Sequence, residues 1–181
     1  KQVTADFDGG HITSDAGGLL LRELDGRYGI TEGAANSLDD PRHSSWVVHD
    51  LKTLIKQRVF SIALGYEDTN DATTLRSDPA LKTMTERLPE SSLDLASQPT
   101  LCRFENRVSK KGLRKLADWL FELYVKAHPG PRDVIVIDID ATDDPTHGQQ
   151  QLSFFHGYYE EHMYHPLFVF DGISGFPMAC I

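Results

Sequence analysis

The feature that most constrains the fold is a change in the spacing of apolar residues at His128-Pro129-Gly130-Pro131. Before this segment, apolar side chains recur at the three- to four-residue spacing of amphipathic helices. After it, they alternate with polar residues or form short continuous runs, which is typical of strands. Two prolines and a glycine within four residues also favour a boundary. We therefore predict an α+β, or mixed, fold with a helical amino-terminal region over residues 1–130 and strands over residues 131–181.

Residues 1–130 predict several helices separated by polar turns. One helix begins at Ser14-Asp15, and the polar residues 31–45 predict turns. The most regular helix is expected to begin at Ser44 or Ser45 and to end at Gly65. The other predicted helices are two short ones within Thr69–Glu86, one at Thr100–Val108 with Ser97 as its cap, and a longer one that includes Leu113 to Tyr124 and is ended by His128-Pro129-Gly130-Pro131.

Residues 131–181 predict four strands with short connections. They are Asp133–Asp140, Leu152–Tyr159, Tyr164–Phe170 and Phe176–Ile181. The first strand is apolar and β-branched, which predicts that it is buried.

Carboxylates crowd the end of this first strand: Asp138, Asp140, Asp143 and Asp144. Because side chains alternate along a strand, Asp138 and Asp140 are expected on the same face. Carboxylates at the end of a buried strand repel each other and resist desolvation, so such a cluster usually persists where a divalent cation or a catalytic proton needs it. The cluster predicts metal-assisted chemistry. The alternative is an acidic loop that caps the strand without a metal.

Composition leaves a nucleic-acid partner possible despite a net charge of −9. Residues 131–181 hold eight acidic residues and one basic residue, whereas residues 1–130 are nearly balanced, with 19 acidic and 17 basic. No apolar run approaches the roughly 20 residues of a membrane span, and the two distant cysteines indicate reduced thiols. We expect a cytoplasmic protein without a membrane partner. The first residue is not Met and the last lies in an apolar run, which we interpret as an amino-terminal fragment.

Basic side chains concentrate between residues 103 and 115, where Glu105 is the single acidic residue. Local patches, rather than the global charge, make contacts to phosphates. The candidate DNA-contacting residues are Arg103, Arg107, Lys110, Lys111, Arg114 and Lys115. The alternative is a solvated face on a pair of amphipathic helices. Trp46 and Trp119 are expected in the core rather than on a base-stacking surface.

The Asp-x-Asp-x-Thr sequence at Asp138–Thr142 also resembles the nucleophile motif of haloacid-dehalogenase-like phosphatases. That resemblance implies that Asp138 attacks phosphorus and that Asp140 acts as acid and base. The strands predicted after the motif have hairpin spacing, whereas the phosphatase motif leads into a helical segment. The phosphatase is therefore the second enzymatic hypothesis.

Five longer motifs occur in order along the chain: Ser14–Glu23, Gln57–Asp68, Leu75–Pro79, Ser97–Asn106 and Asp138–Gln150, with Phe155 and Gly157-Tyr158-Tyr159 just beyond. On these motifs the whole chain resembles the group-1 DDE transposases of bacterial insertion sequences, within the insertion-sequence family numbered 1380. The resemblance implies a helical region for DNA binding and dimerisation over residues 1–130. It implies the start of an RNase-H-like catalytic domain, incomplete at the C-terminus, over residues 131–181.

The resemblance also implies a mechanism and partners. Asp140 would be the first catalytic and metal-binding carboxylate, with Asp138 as the second choice, and two Mg²⁺ (or Mn²⁺) ions would complete the site. The partners would be double-stranded DNA, namely terminal inverted repeats and target DNA, and a second copy on paired ends. A bacterial transposase would associate with the nucleoid when it is bound to DNA.

The segment after the first strand is expected to form an active-site loop: Thr142, Asp143, Asp144, His147 and Gln149. The family's second Asp and its Glu are expected beyond Ile181, so residues 1–181 alone are expected not to cut DNA. A non-catalytic remnant that still binds element ends is the remaining alternative.

Overall fold

A computed structural model describes residues 10, 12–146, 148, 150 and 152–181. The chain forms two compact units, which we call the first unit (Lys1–Leu113) and the second unit (Arg114–Ile181). Helices precede antiparallel strands, so the predicted α+β class is confirmed. The functional boundary after residue 130 stays a prediction. None of the helices in the described part of the chain combines the length and apolar character needed to cross a bilayer.

Seven α-helices lie in the described part of the chain. They are α1 (Leu19–Tyr28), α2 (Ile30–Ser37), α3 (Leu51–Ala63), α4 (Ala72–Leu75), α5 (Pro79–Met84), α6 (Gln98–Glu105) and α7 (Lys110–Ala127). Short 3₁₀ turns at Ala16–Gly18, Ser44–Trp46 and Thr69–Asp71 precede α1, α3 and α4.

Helix α3 begins at Leu51, so the prediction that it begins at Ser44 or Ser45 is wrong. The physical reason is the cap: the Asp50 carboxylate accepts a 2.7 Å hydrogen bond from the Thr53 N–H, which otherwise has no partner in the first turn. Asp78 begins α5 in the same way, by accepting from the Leu81 N–H at 2.8 Å.

Helix α2 occupies residues for which the sequence predicts turns. Gly29 adopts the left-handed conformation (φ 69°) that ends α1 and begins α2 at once. The buried Asp25 accepts hydrogen bonds from the Thr31 N–H (2.7 Å) and hydroxyl (2.6 Å). The acceptor for the start of α2 therefore lies six residues upstream, where a local capping pattern does not reveal it.

The first unit contains two clusters of buried apolar side chains. One joins Leu54, Ala72, Ala96 and Leu101, and the other joins Phe60, Leu81, Met84 and Leu95. Between them, the fully buried Gln57 of α3 donates to the Ala96 carbonyl (2.8 Å) and accepts from the Ala96 N–H (2.9 Å). Gln57 thus satisfies both backbone groups of the segment that leads into α6.

The described residues of the second unit form two three-stranded antiparallel sheets. Its strands are β1 (Ile137–Ala141), β2 (Asp144–Pro145), β3 (Phe154–His156), β4 (Glu161–Tyr164), β5 (Leu167–Asp171) and β6 (Pro177–Cys180). The strand orders are β1-β5-β6 and β2-β4-β3. The predicted strand at Leu152–Tyr159 is reduced to β3, and the long third strand is divided at His165-Pro166 between the two sheets.

Strand β1 is exposed along its whole length, so the prediction of a buried strand is wrong for the described chain. It pairs with β5 alone, which leaves its other edge unpaired among the described residues. Ile139 is 62% exposed although its sequence context is that of a core strand. A β-branched apolar run predicts strand geometry, but burial also requires a layer that packs against it.

The buried centre of the second unit includes a carboxylate. Asp171, at the end of β5, is fully buried and accepts hydrogen bonds from Arg132, the Tyr124 hydroxyl (3.3 Å) and the Ser174 hydroxyl (2.8 Å). Burial alone would raise the pKa of Asp171, but the hydrogen bonds from Arg132, Ile173 N–H and Ser174 hold it well below its usual range. This network connects α7 to the hairpin of β5 and β6.

Candidate functional site

Strand β1 brings Asp138 and Asp140 to one face of its sheet, as predicted from the alternation of side chains. Asp138 is paired with Phe170 and Asp140 with Phe168, and directly paired residues share a face. The two carboxylates are separated by about 7 Å along the strand. They stand across from two half-buried phenylalanine rings whose centroids are 6.2 Å apart. Both carboxylates are exposed, so water solvates them in the described chain.

The segment after β1 divides between a connection and a strand. The Thr142 N–H donates to the Pro166 carbonyl at 3.1 Å, and Thr142 and Asp143 connect β1 to β2. Asp144 lies in β2, paired with Tyr164, rather than in a loop. The predicted loop residues His147 and Gln149 lie outside the described residues.

The donor chemistry of β1 fits a hard divalent cation. Carboxylate oxygens are the ligands that Mg²⁺ and Mn²⁺ prefer, and Asp138 and Asp140 offer them from adjacent positions on an accessible face. Within the described residues, no group of three or more His, Cys, Asp or Glu side chains is arranged to hold a metal ion. The described part of the chain therefore offers two carboxylates of the kind that divalent cations bind.

The predicted DNA-contacting residues fall on both sides of the division between the units. In the first unit, Arg103 lies on α6, Arg107 follows the end of α6 at Glu105, and Lys110 and Lys111 begin α7. All four are exposed. In the second unit, Arg114 is exposed and Lys115 is half-buried on α7. The sequence predicts Arg107 within a helix that extends to Val108, and that helix is shorter than predicted.

Ser109 caps α7, because its hydroxyl accepts a 3.1 Å hydrogen bond from the Gly112 N–H. The first turn that follows contains two lysines and no acidic residue. The helix dipole disfavours cations at this end by about 0.3–1 kcal/mol each. Lys110 and Lys111 therefore do not stabilise the helix through the dipole, which favours a role for their charge outside the fold.

A cleft of about 340 Å³ in the first unit adjoins Arg103 and Arg107. Its lining consists of Arg42, Trp46, Val48, His49, Leu54, Thr100, Arg103, Phe104 and Arg107. The cleft combines arginine side chains with a tryptophan that is 85% exposed. The prediction that Trp46 lies in the core is therefore wrong.

The cleft is held in place by a network around Arg42 and His49. Arg42 donates to both oxygens of Asp40 (2.8 and 2.6 Å) and to the His49 carbonyl (2.9 Å). These hydrogen bonds hold the pKa of Asp40 below its usual range. Burial and the charges of Arg87 and Arg42 lower the pKa of His49, so its imidazole is neutral at neutral pH. Its Nδ1 accepts from Arg87 at 2.9 Å, since arginine has no acceptor to offer.

Of the nine residues that line this cleft, only Arg103 and Arg107 are sequence-based candidates; Arg42, Trp46 and His49 are among the seven others. A signal is present in the sequence, because Trp46 follows His43-Ser44-Ser45 and precedes the cap of α3, outside its helical repeat. Such a tryptophan has no helical face on which to be buried.

Comparison with known families decides what kind of protein contains these sites. The family model described as transposase DDE domain group 1 matches residues 1–181. The chain belongs to this family of transposase DDE domains. No curated protein and no solved structure matches the chain. A DDE domain is the strand-cleaving part of a transposase, so the carboxylates of β1 and the basic residues of the first unit belong to a protein that acts on DNA.

Proposed function

We propose that this DDE domain cleaves and rejoins DNA strands at the terminal inverted repeats of an insertion sequence of the family numbered 1380. Asp140 is the first catalytic carboxylate, and Asp138 is the second choice for that role. The motifs at Ser14–Glu23, Gln57–Asp68 and Asp138–Gln150 support the narrower family assignment.

One observation carries the proposal: the family match extends over the part of the chain in which β1 presents two exposed carboxylates on one face. The antiparallel order β1-β5-β6 supports the start of an RNase-H-like domain, with the acidic residues on its first strand. The proposed division of roles assigns DNA binding and dimerisation to residues 1–130 and catalysis to residues 131–181.

Asp138 and Asp140 would hold Mg²⁺ or Mn²⁺, two ions in the complete site. When bound, such cations would supply activation of the attacking hydroxyl group and neutralisation of charge on the phosphate. The two aspartates share a face of the strand pair with their partners Phe168 and Phe170, and both remain exposed. The Thr142 N–H, which bonds to the Pro166 carbonyl, holds the end of β1 in place.

The exposed basic residues would bind the DNA backbone. Arg103, Arg107, Lys110 and Lys111 of the first unit are exposed, and Arg114 and Lys115 lie one turn after the two lysines on α7. Contacts to phosphates release counterions, so binding should weaken as salt rises. In the proposed assembly, two copies of the protein bind the paired ends of the insertion sequence. The protein is cytoplasmic and associates with the nucleoid when it is bound to DNA.

Neither of the two alternative functions includes cleavage of DNA strands. A haloacid-dehalogenase-like phosphatase built on Asp138 and Asp140 would need a parallel sheet, whereas the strand pairings among the described residues are antiparallel. A non-catalytic remnant would bind terminal repeats without cleaving them. That residues 1–181 alone do not cut DNA stays a prediction.

The proposal is tested in cells that express the complete gene and carry a marker flanked by the terminal repeats of the insertion sequence. The assay measures excision of this marker. We expect excision with the wild type and loss of at least about 100-fold with Asp140→Asn, because a metal-binding carboxylate has no substitute. Asp118→Asn, an exposed change on α7 outside the candidate sites, is the matched control and should retain excision. Excision that is unchanged by Asp140→Asn would contradict the assignment of Asp140. A gel shift without excision by the wild type would favour the remnant.

DNA binding is tested by replacing both Arg103 and Arg107 with Gln in the 181-residue chain. We expect weaker binding to a terminal-repeat duplex and a shallower dependence on salt, by about one unit of slope for each phosphate that the variant no longer binds. Arg22→Gln, an exposed change on α1, is the control. Equal affinity and equal slope in the double variant would remove these two residues from the interface.

A further inference from the structure

We propose that the cleft beside Trp46 binds DNA through an unpaired base that stacks on the indole ring while Arg103 and Arg107 contact the adjoining phosphates. The inference rests on the proposed function, because it names the part of the DNA that the cleft binds.

The exposure of Trp46 is the first observation. Tryptophan carries one of the largest apolar surfaces of any side chain and is highly buried on average, yet Trp46 is 85% exposed. The His43 ring, at 5.6 Å between centroids, covers it only in part. An indole this exposed has surface available for an aromatic ligand.

The second observation is that the exposed ring stands on an anchored segment. The Trp46 N–H donates to the His43 carbonyl (3.0 Å) and the Val47 N–H to the Ser44 carbonyl (3.2 Å). Arg42, before the turn, is fixed to Asp40 and to the His49 carbonyl, which lies after the turn. The backbone on both sides of Trp46 is thus held, which lowers the entropic cost of binding.

The third observation is the charge around the ring. Arg103 and Arg107 line the same cleft and are exposed, so their guanidinium groups are accessible to phosphate oxygens. Aromatic side chains with basic residues that follow the backbone are the combination by which proteins bind single-stranded nucleic acid.

Stacking on Trp46 requires a DNA base with one face uncovered. In a continuous duplex, both faces of each base are covered by its neighbours, so an indole reaches a base face only where the stack is interrupted. An unpaired tail, a frayed end or a base turned out of the helix supplies such a face. The cleft therefore favours DNA with an interrupted end over a continuous duplex.

The test compares a short blunt duplex with the same duplex carrying a single-stranded tail. The 181-residue chain contains two tryptophans, so Trp119→Phe leaves Trp46 as the fluorescent reporter and Trp46→Phe leaves Trp119. We expect the tailed duplex to quench Trp46 and to leave Trp119 nearly unchanged. Trp46→Ala should weaken binding of the tailed duplex by about 5- to 150-fold, the effect of losing one stacked base, and Trp46→Phe should recover part of it.

The blunt duplex separates this inference from the proposed function. We expect Trp46→Ala to bind the blunt duplex as before and to lose the preference for the tailed duplex. Equal loss for both duplexes, or no loss for either, would overturn the stacking inference while DNA binding itself stands. A change in oligomeric state without a change in DNA affinity would make Trp46 a protein contact and overturn the inference. Absence of binding to either duplex would contradict both proposals.

Because Trp46 is exposed, its replacement should not unfold the first unit, and circular dichroism checks this. The salt slope distinguishes the roles of the side chains. Trp46→Ala should leave the slope unchanged, whereas the Arg103→Gln, Arg107→Gln double variant should reduce it for both duplexes. A reduced slope in Trp46→Ala would mean that the variant disturbs phosphate contacts and would contradict stacking.

Discussion

The two units differ in what holds their buried parts together. The first unit surrounds α3 with two clusters of apolar side chains, and its buried polar groups, such as Gln57 and Asp25, are paired with nearby backbone or side chains. The second unit leaves the apolar strand β1 exposed and buries a carboxylate, Asp171, under hydrogen bonds from Arg132, Tyr124 and Ser174. Stability in the first unit therefore depends mainly on apolar packing, whereas in the strand region it depends strongly on one polar network.

Replacement of Asp171 by Asn should have the largest effect on stability. The change leaves the Arg132 guanidinium without its buried partner and weakens the hydrogen bonds from Tyr124 and Ser174. We expect the melting temperature of the second unit to fall by about 10 °C. Amide hydrogen exchange should accelerate in β5 and β6 and remain unchanged in α3. Asp143→Asn, at an exposed position, is the control.

The same variant should change the dependence of stability on pH. Because the pKa of Asp171 is lower in the folded chain than in the unfolded chain, its stabilising contribution is complete above about pH 4 and is lost as the pH falls below that value. Asp171→Asn should therefore flatten the acid loss of stability in the second unit. An acid profile identical to that of the wild type would show that the network does not stabilise this unit.

In the first unit, replacement of Gln57 by Ala should have the next largest effect. It leaves the buried N–H and carbonyl of Ala96 without partners and opens a cavity beside Leu54 on α3, at a cost of about 2–4 kcal/mol in the free energy of unfolding. Chemical denaturation measures this. Val59→Ala, on the exposed side of the same helix, should cost less than about 1 kcal/mol. Equal costs for the two variants would mean that the pairing with Ala96 is not what holds the segment before α6.

Replacement of Gly18 by Ala should have a smaller effect. A β-carbon there would lie 2.6 Å from the sulfur of the fully buried Met84, and 3.3 Å from Leu64. We expect a loss of about 1–2 kcal/mol, because the packed side chains must move. Gly17→Ala is a matched control, since a β-carbon at that position meets no atom within 4 Å. A denaturation midpoint for Gly18→Ala that equals that of Gly17→Ala would mean that Met84 adapts without cost.

The smallest effects on stability are expected at the candidate catalytic carboxylates. Asp138→Asn and Asp140→Asn alter exposed side chains, so the free energy of unfolding should change by no more than about 0.5 kcal/mol. The contrast with Asp171→Asn separates a structural carboxylate from carboxylates that are retained for chemistry. A loss comparable to that of Asp171→Asn would indicate that β1 depends on these aspartates for its fold.

Much of this architecture could be predicted from the sequence, because helical repeats and strand alternation are local. The α+β class, the end of α7 near His128 and the common face of Asp138 and Asp140 follow from spacing alone. The exposure of β1 and the division of the strands into two sheets do not, because pairing between distant segments decides them. The pairing of Asp171 with Tyr124 and Arg132 also lacks a local signal, since these two partners lie far from it in sequence.

The candidate sites, too, depend on contacts between distant segments that the local sequence does not reveal. The basic residues between 103 and 115 are visible as a cluster of charge, but the cleft beside them is assembled from Arg42, Trp46 and His49, on a different segment. Composition alone favours a core position for Trp46, because most tryptophans are buried. Its position between a polar turn and the Asp50 cap explains why it is exposed.

The central claim is that Asp140 holds a metal ion for DNA strand cleavage, and a change of ligand tests it most directly. The protein expressed from the complete gene is assayed for cleavage of terminal-repeat DNA with Mg²⁺ or Mn²⁺, as the wild type, Asp140→Cys and Asp118→Cys. We predict that Asp140→Cys loses cleavage with Mg²⁺ and recovers part of it with Mn²⁺, which accepts a thiolate ligand more readily. Asp118→Cys, at an exposed position on α7, should cleave with both ions. If Asp140→Cys cleaves with Mg²⁺ at the rate of the wild type, the claim is contradicted.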